Sequence, residues 1–202
     1  MRRPPRHTAV ALDVEYRHYR LQSTRTVLRV PAEVAVVGEA AASPPLLHTR
    51  VAPPPTLPPD AAWVGGVRLN DGDGGRDERP LAAVAADIET ILSAGATLVG
   101  HGVASDLASL GLATPARCVD TAAVLARGGD GPTPSLAALT RRVLGRDLRP
   151  DSRAAHSALD DARAVIAVYL ALGRPGIDRE AGVEEEAARI VDEWERRRRE
   201  VE

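Results

Sequence analysis

Lysine and phenylalanine are absent from this chain of 202 residues, and cysteine occurs once. Each absence excludes something. The single thiol, Cys118, rules out a disulfide framework and any cysteine-rich zinc or iron–sulfur site, and makes an intracellular protein the simplest reading. Aromatic residues amount to 2% of the chain (Tyr16, Tyr19, Trp63, Tyr169 and Trp194), so the core has to be built from Ala, Val, Leu and Ile. Modules that read nucleic acid on rows of stacked rings are thereby excluded. No run approaches the ~18 apolar residues of a membrane span. The short apolar run after the arginine-rich start is stopped by Asp13, so no secretion signal is expected. All 26 basic residues are arginine, which a coding bias explains as readily as function.

What is present suffices for one sizeable core: 44% of residues are hydrophobic, and a single domain over residues 1–176 followed by a charged helical tail over 177–202 is expected. The tail carries ten acidic and six basic side chains against a whole-chain charge of −2, which leaves the body near neutral and arginine-rich. Such a surface permits a polyanionic partner without demanding one.

Thr8 to Val14 is short, apolar and Val-rich and reads as a buried strand; Val27 to Val37 and Leu46 to Val51 read as two more. The Pro-rich stretch from Pro53 and the Gly/Asp cluster Asn70 to Gly75 make 52–79 a loop. Beyond Pro80 the pattern alternates: helix Leu81–Leu92, strand Thr97–Gly100, helix Ala104–Leu110, strand Arg117–Asp120, then helices Pro134–Leu144 and Ser157–Leu172. Strands first and then strands alternating with helices describe an α/β fold with a mixed sheet.

Carboxylates recur at the places where such folds bind ligands. Asp13 and Glu15 stand two apart at a strand end, where alternation points both to one face and offers a divalent-metal site. Asp87 and Glu89 have the same spacing but fall in a helix, where residues two apart do not face each other, and read as surface. Asp106 opens a helix after the strand–glycine turn Gly100-His101-Gly102, above the end of the sheet. Ser157 and Asp160 have capping-box spacing, which starts the last helix at Ser157 and frees Asp161. His156 and Asp161 would be about 140° apart on a continuous helix, so they share a site only if His156 lies in the loop before the cap.

Together these elements resemble the DEDDh branch of the DnaQ-like 3′→5′ exonucleases. The residues carrying the likeness are Asp13-Val14-Glu15, Gly100-His101 to Asp106, and His156 to Asp161, with Val119-Asp120-Thr121, Ser135-Leu136 to Leu139 and Leu144-Gly145 between. Gly65-Gly66-Val67 is similar to a Ser-Gly-Ile segment of the RNA-exonuclease subgroup that includes the interferon-stimulated exonuclease and its nucleolar relatives. Val14, Tyr16 and Ser105 depart from that subgroup's usual Cys, Met and Asn.

The resemblance implies an RNase H-like fold with a mixed five-stranded sheet flanked by helices. It implies catalytic residues Asp13, Glu15, Asp106, His156 and Asp161. The four acids would hold two Mg²⁺ or Mn²⁺, and His156 would act as general base. It implies hydrolysis of single-stranded RNA, or DNA, from a free 3′ end to nucleoside 5′-monophosphates, and a nuclear or nucleolar location in a eukaryote or a cytoplasmic one otherwise. Tyr16, His101 and Arg153 are the expected nucleic-acid contacts, although alternation also allows Tyr16 a core position, and the family pattern, which puts the base in the third motif, leaves His101 a structural or site-wall residue. Arg17 and Arg149 lie near the motifs as further candidates. A catalytically silent binding module and an oligonucleotide-trimming nuclease are the other readings of the same fold.

Overall fold

The computed structural model describes residues 9–40, 43–66, 78–126, 133–148 and 156–173. The expected tail over 177–202 lies outside them. Four strands come first: β1 (Ala9–Leu21), β2 (Val27–Gly38), β3 (Leu47–Arg50) and β4 (Ala61–Gly66). Then follow α1 (Leu81–Ser93), β5 (Thr97–Gly100), α2 (Val103–Leu110), β6 (Cys118–Asp120), α3 (Thr121–Ala126), α4 (Leu136–Leu144) and α5 (Ala158–Ala171).

One mixed sheet runs in the order β3-β2-β1-β5-β6, with β4 on β1 as well. β1, β2 and β3 form an antiparallel meander, β5 is parallel to β1, and β6 is parallel to β5. The alternation of β1 separates two cores. Val10, Leu12, Val14 and Tyr16 pack with Val84 and Ile88 of α1 and Leu107 and Leu110 of α2, whereas Ala9 and Ala11 pack with Val165, Ile166 and Tyr169 of α5. The small residues on this second face let α5 lie close to the sheet, and a helix at that distance brings its first turn over the strand.

The sheet has six strands, not the five expected. The segment Ala61–Gly66 follows a run of prolines and contains two glycines, so it reads as loop, yet it pairs antiparallel with Arg17–Leu21. β1 is 13 residues long and outruns its predicted end at Val14, so its distal half offers an edge that β4 fills. The helix α3, only 6 residues long, is too short to show a period in the sequence. Pro31 lies within β2 opposite Tyr16, at the register shift between Glu15 and Tyr16, the kind of irregularity where a strand tolerates proline.

Gly66 is where β4 comes closest to the acids' strand. Its φ is +90°, and a β-carbon there would stand 2.1 Å from the carbonyl oxygen of Tyr16, which is backbone and cannot move aside. Gly66→Ala is therefore expected to destabilise the fold by at least about 2 kcal/mol through strain and overlap combined. Urea unfolding measures this; a midpoint equal to the wild type's would contradict the close approach.

Candidate active site

The site begins where β1 loses its neighbours along one edge. β5 pairs with β1 from Ala9 to Ala11 and β4 pairs with it from Arg17 to Leu21, so Leu12 to Tyr16 face a notch between the two. The notch opens at the carboxyl end of parallel strand β5, the end at which α/β sheets receive ligands. Asp13 and Glu15 continue the Ala9–Ala11 register and thus share the face covered by α5. Both are half-buried.

α5 meets them with Asp161. The stripe Ala158, Asp161, Ala162, Val165 and Tyr169 repeats every three or four residues and is buried against the sheet, so Asp161 is carried inwards by the same periodicity that packs its apolar neighbours. His156 lies just before the helix. Its Nδ1 is 3.2 Å from Glu15 Oε1 and 3.8 Å from Asp161 Oδ2, and its side chain is 58% exposed. One ligand atom from each of Glu15, His156 and Asp161 lies within 4.8 Å of the others.

Asp106 comes from the first turn of α2. The turn that delivers it is fixed by Asp120, whose Oδ1 accepts the N–H of Gly102 at 2.9 Å and that of Ala122 at 2.9 Å. Gly102 has φ +76°, the left-handed conformation that this turn requires. Asp106 is buried, and its Oδ1 accepts a hydrogen bond of 2.9 Å from the Tyr16 hydroxyl. Glu15, His156 and Asp161 thus meet in one group, and Asp13 lies near enough for the charges of Asp106, Asp161 and Glu15 to act on it.

Burial comes first in the electrostatics of the site, and like charge adds to it at Asp13. Burial, and then the charges of Asp106, Asp161, Glu15 and Glu33, push the Asp13 carboxyl up to about 9. Burial pushes Asp106 up to about 6 against the opposing hydrogen bond from Tyr16, and it pushes the Tyr16 phenol up to about 12. A protein holding this many carboxylates together pays in self-repulsion unless cations are present. The donor set, carboxylate oxygens with one imidazole at the rim, suits hard divalent ions such as Mg²⁺ or Mn²⁺.

Glu33 belongs to the same cluster, although no sequence motif contains it. It stands opposite Glu15 across the β1–β2 pair, its Oε1 is 2.6 Å from His48 Nε2, and its Oε2 accepts the Ala158 N–H at 3.5 Å. Nothing in its sequence neighbourhood marks it, because the register that sets it beside Glu15 is a property of the sheet. The contact also corrects the expected capping box. Ser157 is the N-cap residue, but its side chain makes no capping hydrogen bond, and Asp160 is exposed beside Arg163 at 3.9 Å. An amide of the helix start is met by Glu33 from a neighbouring strand instead.

The expected nucleic-acid contacts occupy different surroundings. Tyr16 is buried on the α1–α2 side, with Ser109 Oγ 3.1 Å from its hydroxyl and the Arg29 guanidinium 4.0 Å above its ring. His101 Nδ1 is 3.1 Å from Thr121 Oγ1, whose hydroxyl donates to Gly100 O at 2.9 Å; burial lowers the pKa of this half-buried ring. Arg17 is buried and paired with Glu78 at 2.5 Å. Arg149 and Arg153 lie outside the described residues. Arg29, exposed beside Tyr16 and near enough for its charge to act on Asp106, is a cation that no sequence motif marks.

This is the RNase H-like fold. The chain superposes on the Neurospora crassa Pan2 catalytic unit (protease and nuclease domain) with a TM-score of 0.68 at 15% identity, covering 95% of this chain and 30% of that one. It superposes on the Saccharomyces cerevisiae Pan2 pseudoubiquitin hydrolase–RNA exonuclease module in complex with A7 RNA with a TM-score of 0.65 at 17% identity, covering 94% and 32%. No family model matches the chain. Among curated proteins it is similar to RNA exonuclease 4 of Mycosarcoma maydis, 34% identical over 110 residues that make up 53% of this chain and 28% of that protein. It is also similar to RNA exonuclease 4 of Kluyveromyces lactis, 38% identical over 79 residues, and to small RNA degrading nuclease 3 of Arabidopsis thaliana, 37% identical over 99 residues. The aligned segments span 28% or less of these relatives' own length.

Among the described residues, no helix is long and apolar enough to cross a membrane.

Proposed function

We propose that this chain is a divalent-metal-dependent 3′→5′ exonuclease acting on single-stranded RNA. The observation that carries the reading is the grouping of Glu15, His156 and Asp161, drawn from distant parts of the sequence, with Asp13 near enough for the charges of Asp106, Asp161 and Glu15 to act on it. The names of the curated relatives and the RNA held by the Pan2 modules support RNA over DNA.

In this reading Asp13, Glu15, Asp106 and Asp161 hold the cations. When bound, two such ions neutralise charge on the attacking and leaving oxygens of a phosphodiester. The chain's own groups then have separate tasks. Glu15 Oε1 lies 3.2 Å from Nδ1 of His156, and with the proton held on Nδ1 by this carboxylate, Nε2 is the nitrogen left to take a proton from the attacking water. Water adds to the terminal phosphorus and the P–O3′ bond breaks. The last nucleotide leaves as a 5′-monophosphate, and the shortened strand's 3′ oxygen takes a proton. Among the described residues, Arg29, exposed and near enough for its charge to act on Asp106, is a candidate phosphate contact.

The test is an assay with 5′-labelled single-stranded RNA and DNA of one sequence, with Mg²⁺, Mn²⁺ or chelator. Stepwise shortening from the 3′ end that requires metal and is lost in His156→Ala supports the proposal. Binding of RNA without any metal-dependent product would favour the silent binding module; shortening confined to oligonucleotides of a few residues would favour the trimming nuclease.

A further inference from the structure

Tyr16 stands next in sequence to Glu15, yet it is turned to the opposite side of the sheet. Its ring is buried in the core formed by β1, β2, α1 and α2, and the Arg29 guanidinium covers it 4.0 Å from its centre. Neither face is open to a base. The hydroxyl at the end of the ring reaches α2, donating to Asp106 Oδ1 at 2.9 Å, with Ser109 Oγ at 3.1 Å. Ser109 in turn donates to the main-chain oxygen of Asp106 at 2.8 Å, so side chain and backbone of this acid are held from the same turn of helix.

We propose that Tyr16 is a positioning residue for Asp106: it holds Oδ1 from the core side and leaves Oδ2 as the oxygen offered to a cation. The proposal rests on the metal-dependent reading above. A buried phenol requires a polar partner and a buried carboxylate requires a donor, and this pair satisfies both. A carboxylate fixed by one oxygen loses the rotation that would otherwise be frozen on metal binding. Donors behind a metal ligand are commonly worth about 10- to 100-fold in metal affinity.

Tyr16→Phe removes the hydroxyl and keeps the ring beneath Arg29. In Mn²⁺ titrations followed by electron paramagnetic resonance, without substrate, it is expected to bind about 10- to 100-fold more weakly than wild type. At saturating Mn²⁺ its KM for RNA should equal the wild type's. Tyr16→Met, which lacks the donor but fills the core, should show the same weakening, and thermal melts of both report whether the fold is kept. Two results separate the claims. Wild-type protein whose Mn²⁺ binding is absent, or unaffected by Asp106→Asn, overturns the metal-site reading. Binding that responds to Asp106→Asn but is unchanged in both Tyr16 variants, with a raised KM for RNA, overturns the assignment of Tyr16 alone and returns it to the substrate.

Discussion

Asp13→Asn is expected to lower kcat/KM on single-stranded RNA by at least about 10³-fold, and at the same time to make the metal-free protein more stable. The two effects have one cause. Asp13 is pushed up to about 9 by burial and by the charges of Asp106, Asp161, Glu15 and Glu33. Below that pKa the folded protein has to hold a proton on Asp13 that the unfolded chain releases, which costs stability; an amide of the same shape needs no proton and so removes a penalty that only cations would otherwise offset. The same amide is a poorer ligand for a hard cation. A thermal melt in chelator at pH 8, beside a turnover assay in Mg²⁺, reads both. A variant that is inactive and also less stable would argue that Asp13 serves the fold instead of the site.

The stability of metal-free wild-type protein is expected to fall as pH rises from about 5 to about 9. Asp13 and Asp106 both have folded-state pKa values raised above the ordinary 3.8, to about 9 and about 6. Between the unfolded and folded values the native protein holds protons that the unfolded chain has released. The unfolded state thus binds fewer, and the slope of unfolding free energy with pH is negative. Asp106 contributes mainly up to about pH 6 and Asp13 up to about pH 9. Mg²⁺ or Mn²⁺ binds the ionised carboxylates and stabilises only the folded state, so the rise in melting temperature on adding metal should be largest at alkaline pH. Melting curves from pH 5 to 9, with chelator and with metal, test this. A metal-free Tm that rises with pH, or a metal effect indifferent to pH, would contradict the crowding of carboxylates at Asp13.

Much of the cluster is legible in the sequence. Strand alternation alone sets Asp13 and Glu15 on one face, because a period of two is a local property of extended backbone. The rule that a helix starts at its cap separates His156 from Asp161, and Ser157 is indeed the N-cap, although its side chain does not make the expected bond. The residues that no motif marks share a different origin. Glu33 is beside Glu15 through strand register, Arg29 is above Tyr16 through a side chain that crosses from β2 to β1, and Ser109 meets Tyr16 across 93 positions of sequence. The six residues of β4 have the composition of a loop and become a strand only against the free edge of Arg17–Leu21.

The sequence by itself determined the alternation of buried residues along β1, the helical stripe that carries Asp161 inwards, and the order of the acidic motifs. These depend on neighbours within a few residues, where backbone period and turn chemistry decide. Only the tertiary structure decided how far β1 extends, that a sixth strand pairs with it, and that the gap between β4 and β5 opens beside Asp13 and Glu15. It alone decided that the Tyr16 hydroxyl meets Asp106 and that Glu33 meets the first turn of α5. Those arrangements depend on which surfaces remain unpaired once the chain has collapsed, and on contacts between residues far apart in sequence, which no local pattern encodes.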